Sequence, residues 1–355
     1  MRRRSFVAFA ASFVVSLSSG SSVFAADATT VSGPTVHGNL AIYLLHGSAA
    51  GGAAGAVPLT LQEALNKGSV RVRETGSVNE LTVENVGSDE VFVQAGDIVK
   101  GGRQDRVLSV DLLLPPGSGQ VSIAAFCVEQ GRWTARSDED GRQFSSAAAA
   151  MPSHDAKMAL RVYAGAPAKI ADPSATAYAD GASTGLRQQE IWKSVKTTQD
   201  RLSRSVGASV VAPSSPSSLQ LSLESEKLKK AQADYIAALQ AAGEADADVV
   251  GYVYAINGKI NSGDLYASNA LFRKMWRKQL AANVTEAISD KDAAAAAPPS
   301  VKDVEAFLAA AQAGPESERK MNASVRLATR DGDGSLYAET RRADGSWVHR
   351  NFLAK

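Results

Sequence analysis

Two short blocks of glycine, arginine and acidic residues are the part of this sequence best suited to chemistry. The first, residues 95–106, is AGDIVKGGRQDR, and the second, residues 127–133, is CVEQGRW. Arginine and glutamine offer N–H donors that match carboxylate or phosphate oxygens, and Gly101-Gly102 permits backbone conformations that other residues avoid. Both blocks adjoin predicted core strands, where an unpaired polar group is costly. They therefore either face a ligand or pair with each other.

The first hypothesis is a binding site for a small polar or anionic ligand. It rests on the concentration of forked donors and one carboxylate around glycine bends. The proposed contacts are Arg103, Gln104, Arg106, Glu129 and Arg132, with Asn257 as a partner from a second side. The alternative is that the arginines form internal ion pairs with Asp97, Asp105 or Glu129 and lock a bend in a sheet. The protein would then be a structural envelope protein without a ligand, and the sequence leaves this choice open.

Other nucleophile and metal patterns in the sequence are weaker. Cys127 is the only cysteine; it lies in an apolar run, far from any histidine, and is interpreted as a small core residue. The histidines at positions 37, 46, 154 and 349 are scattered and lack the spacing of metal ligands. We therefore predict no metal site and no cofactor.

The first residues have the pattern of a cleavable export signal. Arginines at positions 2–4 precede an apolar segment at 6–17, and Val23-Phe24-Ala25 is a small-x-small cleavage site. We expect residues 1–25 to be removed and the protein to be periplasmic or secreted, without stable membrane insertion after cleavage. Arg3-Arg4 also fits a twin-arginine signal, so both export routes stay open.

Charge and cysteine content exclude two classes of protein. Removing the three arginines of the signal from 38 basic residues leaves 35 against 37 acidic residues. A nucleic-acid-binding protein would show a basic surplus, so no nucleic-acid partner is predicted. One cysteine cannot form an intramolecular disulfide, and the stability of an exported chain must then come from its core.

Hydrophobic alternation predicts a β-rich first half. Short alternating segments separated by glycine and proline turns run from about residue 40 to residue 133, which is typical of a sandwich or barrel. Thr60 and Glu63 fit a capping box that begins a short helix. Residues 136–182 are rich in alanine, serine and proline, and we expect much of this stretch to be an exposed connection with a short helix at 155–163.

The second half is predicted to contain long helices. Apolar residues at helical spacing indicate helices at 188–206, 223–242 and 269–288, and residues 249–256 are a predicted strand before an Asn257-Gly258 turn. The third helix should place its apolar stripe in the core. Its basic residues are expected on a solvated face; they are Arg273, Lys274, Arg277 and Lys278.

These patterns together predict an α+β protein. An N-terminal antiparallel β-rich sandwich or barrel-like half would pack with the long helices in a domain at 36–289. An Ala/Pro linker at 290–300 would lead to a small C-terminal unit at 301–355, with one helix and three strands.

The two blocks resemble the ADP-ribosylglycohydrolase- and rhodanese-phosphatase-associated protein domain of prokaryotes. The resemblance rests on residues 80–85, 95–97, 101–106 and 127–133, followed by residues 255–259 and the helix at 271–276. It covers about residues 40–288 and so leaves out the C-terminal strands. It implies an association with NAD and ADP-ribose metabolism. The second functional hypothesis follows from it: a hydrolase acting on an ADP-ribose-like substrate, with Glu129 or Asp97 as the catalytic acid or base.

Overall fold

Antiparallel sheets and long helices alternate along the chain. A computed structural model describes residues 29–47, 56–132, 134–136, 141, 143–161, 181–291 and 296–355, so the predicted export signal lies outside the described residues. The strands are β1 (Thr30–His37), β2 (Leu40–His46), β3 (Leu59–Thr60), β4 (Val70–Glu74), β5 (Glu80–Asn85), β6 (Val91–Val93), β7 (Ile98–Gly101), β8 (Arg106–Leu108), β9 (Leu112–Leu114), β10 (Gly119–Cys127), β11 (Phe144–Ser146), β12 (Val249–Ile256), β13 (Lys259–Tyr266), β14 (Ser317–Lys320), β15 (Val325–Asp331), β16 (Ser335–Arg342) and β17 (Trp347–Ala354). The helices are α1 (Leu61–Asn66), α2 (His154–Arg161), α3 (Gly181–Ser205), α4 (Leu219–Leu223), α5 (Glu226–Ala245), α6 (Asn269–Ser289) and α7 (Val301–Gln312). The predicted α+β class is confirmed.

The largest sheet has eight strands in the order β1-β2-β12-β13-β17-β16-β15-β14. Successive side chains of a strand point to opposite faces, and β2 and β12 are apolar on both faces because both faces are covered. Leu40 and Ile42 join a core cluster with α3, α5 and α6, whereas Ala41 and Tyr43 join a cluster with α7. This sheet therefore lies between two helical layers.

The C-terminal strands extend that sheet. β17 pairs with β13, and the register aligns Asp264 with Asn351 and Ser262 with Leu353. Strands on either side of residues 290–300 are thus hydrogen-bonded neighbours. The three predicted C-terminal strands correspond to β15, β16 and β17, while β14 is a fourth strand that the sequence did not indicate.

Two smaller sheets form the β-rich half. One has the order β11-β7-β8-β10-β5-β4, and the other is β3-β6-β9. β10 is shared between two partners: its first residues pair with β5 and its last three pair with β8. The first block runs through β7 to the start of β8, and the second block begins at the end of β10. Because β8 pairs with the end of β10, the six-stranded sheet brings these blocks side by side.

Local sequence signals account for several helix ends. The capping box at Thr60 and Glu63 is present, with each side chain bonded to the other's backbone N–H. Ser268 begins α6 by accepting a hydrogen bond from Leu271 N–H. The three predicted long helices correspond to α3, α5 and α6, and the predicted helix at 155–163 corresponds to α2.

Two expectations about exposure are wrong. Lys278 was expected on a solvated face of α6, but it is buried, because α6 packs between the eight-stranded sheet and the segment around β11, where Lys278 meets Ser146. Much of residues 136–182 was expected to be an exposed connection. In the described part of this range, Phe144 and Met151 are buried, because β11 pairs with β7; residues 137–140, 142 and 162–180 lie outside the described residues.

In the parts of the chain that the structure describes, no helix has the length and apolar character needed to cross a bilayer.

Candidate functional site

The turn between β7 and β8 is built on two glycines with positive φ. Gly101 has φ 124° and Gly102 has φ 57°. A Cβ at Gly101 would lie 2.4 Å from the carbonyl oxygen of Gln143, and a Cβ at Gly102 would lie 2.2 Å from the Phe144 ring. Both the backbone conformation and the close approach therefore require glycine, which explains why the first block contains this pair.

Beyond this turn, two carboxylates and one guanidinium group of the blocks form ion pairs with each other and with Arg136, which follows the second block. Arg132 Nε lies 2.8 Å from Glu129 Oε2, and Arg136 Nη2 lies 2.5 Å from Asp105 Oδ2 and 3.2 Å from Glu129 Oε2. Arg132 Nη2 is 3.7 Å from Asp105 Oδ1. The side chains of Asp105 and Glu129 are completely buried. We call these four residues the block cluster.

Two serines from the segment before α4 complete the block cluster. Ser218 Oγ donates to Asp105 Oδ2 at 3.1 Å, and Ser215 Oγ donates to Glu129 Oε1. Burial raises the pKa of the Asp105 carboxyl above its ordinary value, and Arg136 offsets only part of this effect. The ionised form of Asp105 thus depends on Arg136.

A layer of buried side chains lies next to the block cluster and consists of Gln104, Arg106 and Cys127. Arg106 is fully buried, donates to the Gln104 carbonyl oxygen at 2.9 Å and lies 3.6 Å from Glu74 Oε2. Gln104 Nε2 donates to the Glu129 carbonyl oxygen at 3.2 Å, and its Oε1 lies 2.9 Å from the Cys127 sulfur. Burial raises the pKa of the Cys127 thiol to about 11, which keeps it protonated at neutral pH.

The other two proposed ligand contacts, Arg103 and Asn257, do not belong to this buried layer. Arg103 is exposed, and its backbone N–H donates to Glu74 Oε1 at 2.9 Å. Asn257 occupies the β12–β13 turn with φ 51°; it donates to the Asp290 carbonyl oxygen and accepts from Asn39. The structure therefore brings together Gln104, Arg106, Glu129 and Arg132, and their polar ends are directed at one another.

The two proposed catalytic carboxylates lie in different ion pairs. Glu129 is held in the block cluster, as described above. Asp97 is buried, with Oδ1 2.5 Å from Lys278 Nζ and Oδ2 accepting from Gln94 N–H at 3.1 Å.

A second buried charge cluster, which the sequence did not reveal, lies where the eight-stranded sheet meets the β-rich half. His349 of β17 is fully buried between two aspartates: its Nδ1 lies 2.7 Å from Asp111 Oδ2 and its Nε2 lies 3.0 Å from Asp264 Oδ1. Asp111 precedes β9, and Asp264 belongs to β13. We call Asp111, His349 and Asp264 the histidine triad.

Each charged group of the histidine triad stabilises the charged form of its neighbours. Burial alone would lower the pKa of His349, but the two carboxylates outweigh burial and raise it to about 9. Burial alone would raise the pKa of each carboxyl, but the imidazolium outweighs it, so the pKa of Asp111 and that of Asp264 fall below the ordinary value. At neutral pH the triad therefore contains one cation between two anions.

Neutral donors satisfy the remaining oxygen atoms of the triad. Tyr252 and Asn351 donate to Asp264, at 2.6 and 2.8 Å, while Thr340 and the backbone N–H of Ala95 donate to Asp111, at 2.6 and 2.8 Å. The only sequence signal for this arrangement was polar side chains at alternate positions of predicted strands, as at His349 and Asn351, which share the Leu353 face of β17.

A cleft opens beside the triad. Its walls come from α2, from β13 and β17, and from the turn after β6. Its lining residues are Gln94, Ala95, Gly96, Ala150, Met151, Lys157, Leu160, Arg161, Ser262, Asp264, Gln279, Asn351 and Leu353. We call it the polar cleft; it mixes three charged side chains with amides and apolar groups, as ligand sites do.

Arg161 is the least satisfied charged group in the polar cleft. Its side chain is 8 % exposed, and its Nη2 lies 3.8 Å from Asp111 Oδ1, too far for a hydrogen bond. Its Nη1 is buried and has no hydrogen-bond partner among the described residues. By contrast, Lys157 in the same cleft donates to Tyr254 and to Glu286, at 2.7 and 3.2 Å.

Within the described ranges, one group of side chains has the geometry of a metal site. His46, Asp246 and Asp248 offer ligand atoms that all lie within 4.8 Å of one another. Both aspartates are exposed, and His46 Nδ1 is 3.1 Å from Asp248 Oδ1, which is an ordinary hydrogen-bond distance. Nothing else near them points to a cation.

A family model for the ARG and Rhodanese-Phosphatase-superfamily-associated Protein domain matches residues 28–353. This match spans most of the chain, so the protein belongs to that family, as the resemblance of the two blocks predicted. The match continues to residue 353, so the C-terminal strands lie within the family domain. No curated protein and no solved structure matches the chain.

The block cluster leads to a stability prediction. Replacing Arg136 by Gln should lower the free energy of unfolding by about 3 kcal/mol, because buried Asp105 would lose its closest cation and buried Glu129 would lose one of its two. Urea unfolding followed by circular dichroism measures the change. Arg103→Gln is the matched control; its exposed side chain should change stability by less than about 0.5 kcal/mol. Equal effects of the two substitutions would refute the internal ion-pair interpretation.

The histidine triad leads to a prediction about pH. The pKa of His349 is raised in the folded state from 6.5 to about 9. Its stabilising contribution is therefore complete below about pH 6.5 and is lost as the pH rises towards 9. Between pH 6 and pH 9 the free energy of unfolding should fall by about 3 kcal/mol. His349→Gln should lack this part of the pH dependence, and an identical slope in both proteins would contradict the assignment.

Proposed function

We propose that this member of the family is an exported protein that binds a small carboxylate in the polar cleft beside Arg161. Export is a prediction that rests on residues 1–25 alone. The binding proposal keeps the polar or anionic ligand that the sequence suggested and moves the site from the glycine-arginine blocks to the cleft.

The observation that carries the proposal is the unpartnered guanidinium nitrogen of Arg161. A buried charged donor without a hydrogen bond costs free energy, and in native proteins such a donor calls for an explanation. The nearest carboxylate, Asp111, already accepts from His349, Thr340 and Ala95 N–H. A ligand oxygen placed in the cleft would satisfy Arg161 Nη1 with a charge-assisted hydrogen bond.

The charges around the cleft favour a singly charged acid. Asp264 also lines the cleft and is ionised, so a phosphate dianion would meet stronger repulsion than a monocarboxylate. Gln94, Gln279 and Asn351 contribute amide groups to the same walls and suit the polar substituents of a small acid.

The two hypotheses that place chemistry at the blocks have less geometric support. The block cluster directs its guanidinium groups at its own carboxylates, and neither Glu129 nor Asp97 belongs to the lining of the polar cleft. A hydrolase would need a carboxylate within reach of a substrate. The interpretation of the blocks as structural ion pairs therefore agrees better with these contacts.

Arg161→Met should weaken the binding of acetate and lactate roughly tenfold to a hundredfold, because a charged hydrogen bond contributes about 1.5–3 kcal/mol. NMR chemical-shift titrations at constant ionic strength, extended to millimolar dissociation constants, measure the affinity. Inorganic phosphate and a neutral sugar serve as comparison ligands.

Two control variants separate this site from the blocks. Arg103→Met removes an exposed arginine and should leave the titration unchanged. Arg132→Met removes an arginine of the block cluster and should lower stability without changing the acetate affinity. Binding that is lost with Arg132→Met and kept with Arg161→Met would overturn the proposal in favour of a site at the blocks.

A further inference from the structure

A second cleft adjoins the polar cleft on the same face of the eight-stranded sheet. Arg161, Asn351 and Leu353 line both clefts. We call the second one the apolar cleft, because Leu336, Ala338 and Leu353 line it. Its lining also includes Thr329, Arg330, Asp331 and Tyr337.

The strand register explains why the two clefts are continuous. Asp264 of β13 pairs with Asn351 of β17, which pairs with Ala338 of β16, which pairs with Thr329 of β15. One row of paired residues across the sheet thus carries the carboxylate of Asp264, the amide of Asn351 and the methyl group of Ala338. With strands about 4.8 Å apart, the row from β13 to β15 is about 14 Å long.

The neighbouring row repeats the same change of polarity. Ser262 of β13 pairs with Leu353 of β17, which pairs with Leu336 of β16. Since alternate residues of a strand share a face, Leu336 and Ala338 point to the same side as Leu353 and Asn351. The sheet therefore presents a polar end at β13 and an apolar end at β16, with Arg161 above the junction.

From this arrangement we infer that the ligand is an amphiphilic monocarboxylate, whose acid group binds Arg161 and whose hydrocarbon tail lies over Leu336 and Ala338. This inference rests on the proposed function and adds the chemical class of the ligand. The row of paired residues from β13 to β15 is about 14 Å long, so a short or medium-length tail can lie along it. A compact polar acid would leave the apolar cleft in contact with water.

The test compares the sodium salts of acetate, butanoate, hexanoate and octanoate. Burial of each methylene group should increase affinity by roughly threefold to fourfold until the apolar cleft is filled. Isothermal titration calorimetry measures the longer acids, and NMR titration measures the shorter ones. Hexylamine, which has a tail and the opposite charge, should bind far more weakly than hexanoate.

Two variants of the apolar cleft make the test specific. Ala338→Leu should fill the cleft, leave acetate affinity unchanged and abolish the gain from longer tails. Leu336→Ala should reduce the gain for each methylene without affecting acetate. Circular dichroism and a thermal melt establish that each variant is folded; if Ala338→Leu does not fold, Leu336→Ala carries the comparison.

The possible outcomes distinguish the two proposals. Affinity that rises with chain length in the unaltered protein and not in Ala338→Leu supports the amphiphilic ligand. Acids that all bind equally, and that need Arg161, overturn the tail site while the carboxylate proposal survives. Chain-length dependence that persists in Arg161→Met overturns the carboxylate proposal, and absence of binding by every acid overturns both.

Discussion

The buried imidazolium of His349 between Asp111 and Asp264 is the interaction on which the rest of the structure depends. It joins β13 and β17 of the eight-stranded sheet to the segment before β9, so it connects the two halves of the chain. Each carboxylate is buried and would be costly without the cation. Tyr252, Asn351 and Thr340 are oriented by these carboxylates, and the wall of the polar cleft is therefore fixed by one charged ring.

The two charge clusters of this protein have different consequences. In the block cluster, the arginines pair with the two carboxylates and two serines complete them, which suits this cluster to holding a turn. One nitrogen there, Arg132 Nη2, nevertheless has no hydrogen-bond partner among the described residues. Beside the histidine triad, Arg161 also has an unpartnered nitrogen, and only Arg161 of these two arginines lines the polar cleft.

Local patterns predicted most of the secondary structure, because strand alternation, helical spacing and the Thr60 capping box depend on neighbouring residues. Whether the two blocks meet was left open by the sequence; the pairing of β8 with β10 brings them together. The triad was not predicted, because Asp111 and His349 are 238 positions apart and no local pattern relates them. Lys278 was misassigned for a similar reason: helical periodicity cannot reveal that Asp97 lies against that side of α6. The choice between a ligand site and internal ion pairs at the two blocks also depended on tertiary contacts that the sequence does not show.

The protonation state of His349 tests the account most directly. Nitrogen-15 NMR of histidine-labelled protein at pH 7.5, with His349→Gln used for assignment, reports the state of both ring nitrogens. The account predicts that both carry protons, because two carboxylates hold the pKa of the ring near 9. A neutral ring with one unprotonated nitrogen at this pH would contradict it. One aspartate would then face an acceptor rather than a donor, and the charge balance that leaves Arg161 unpartnered would no longer hold.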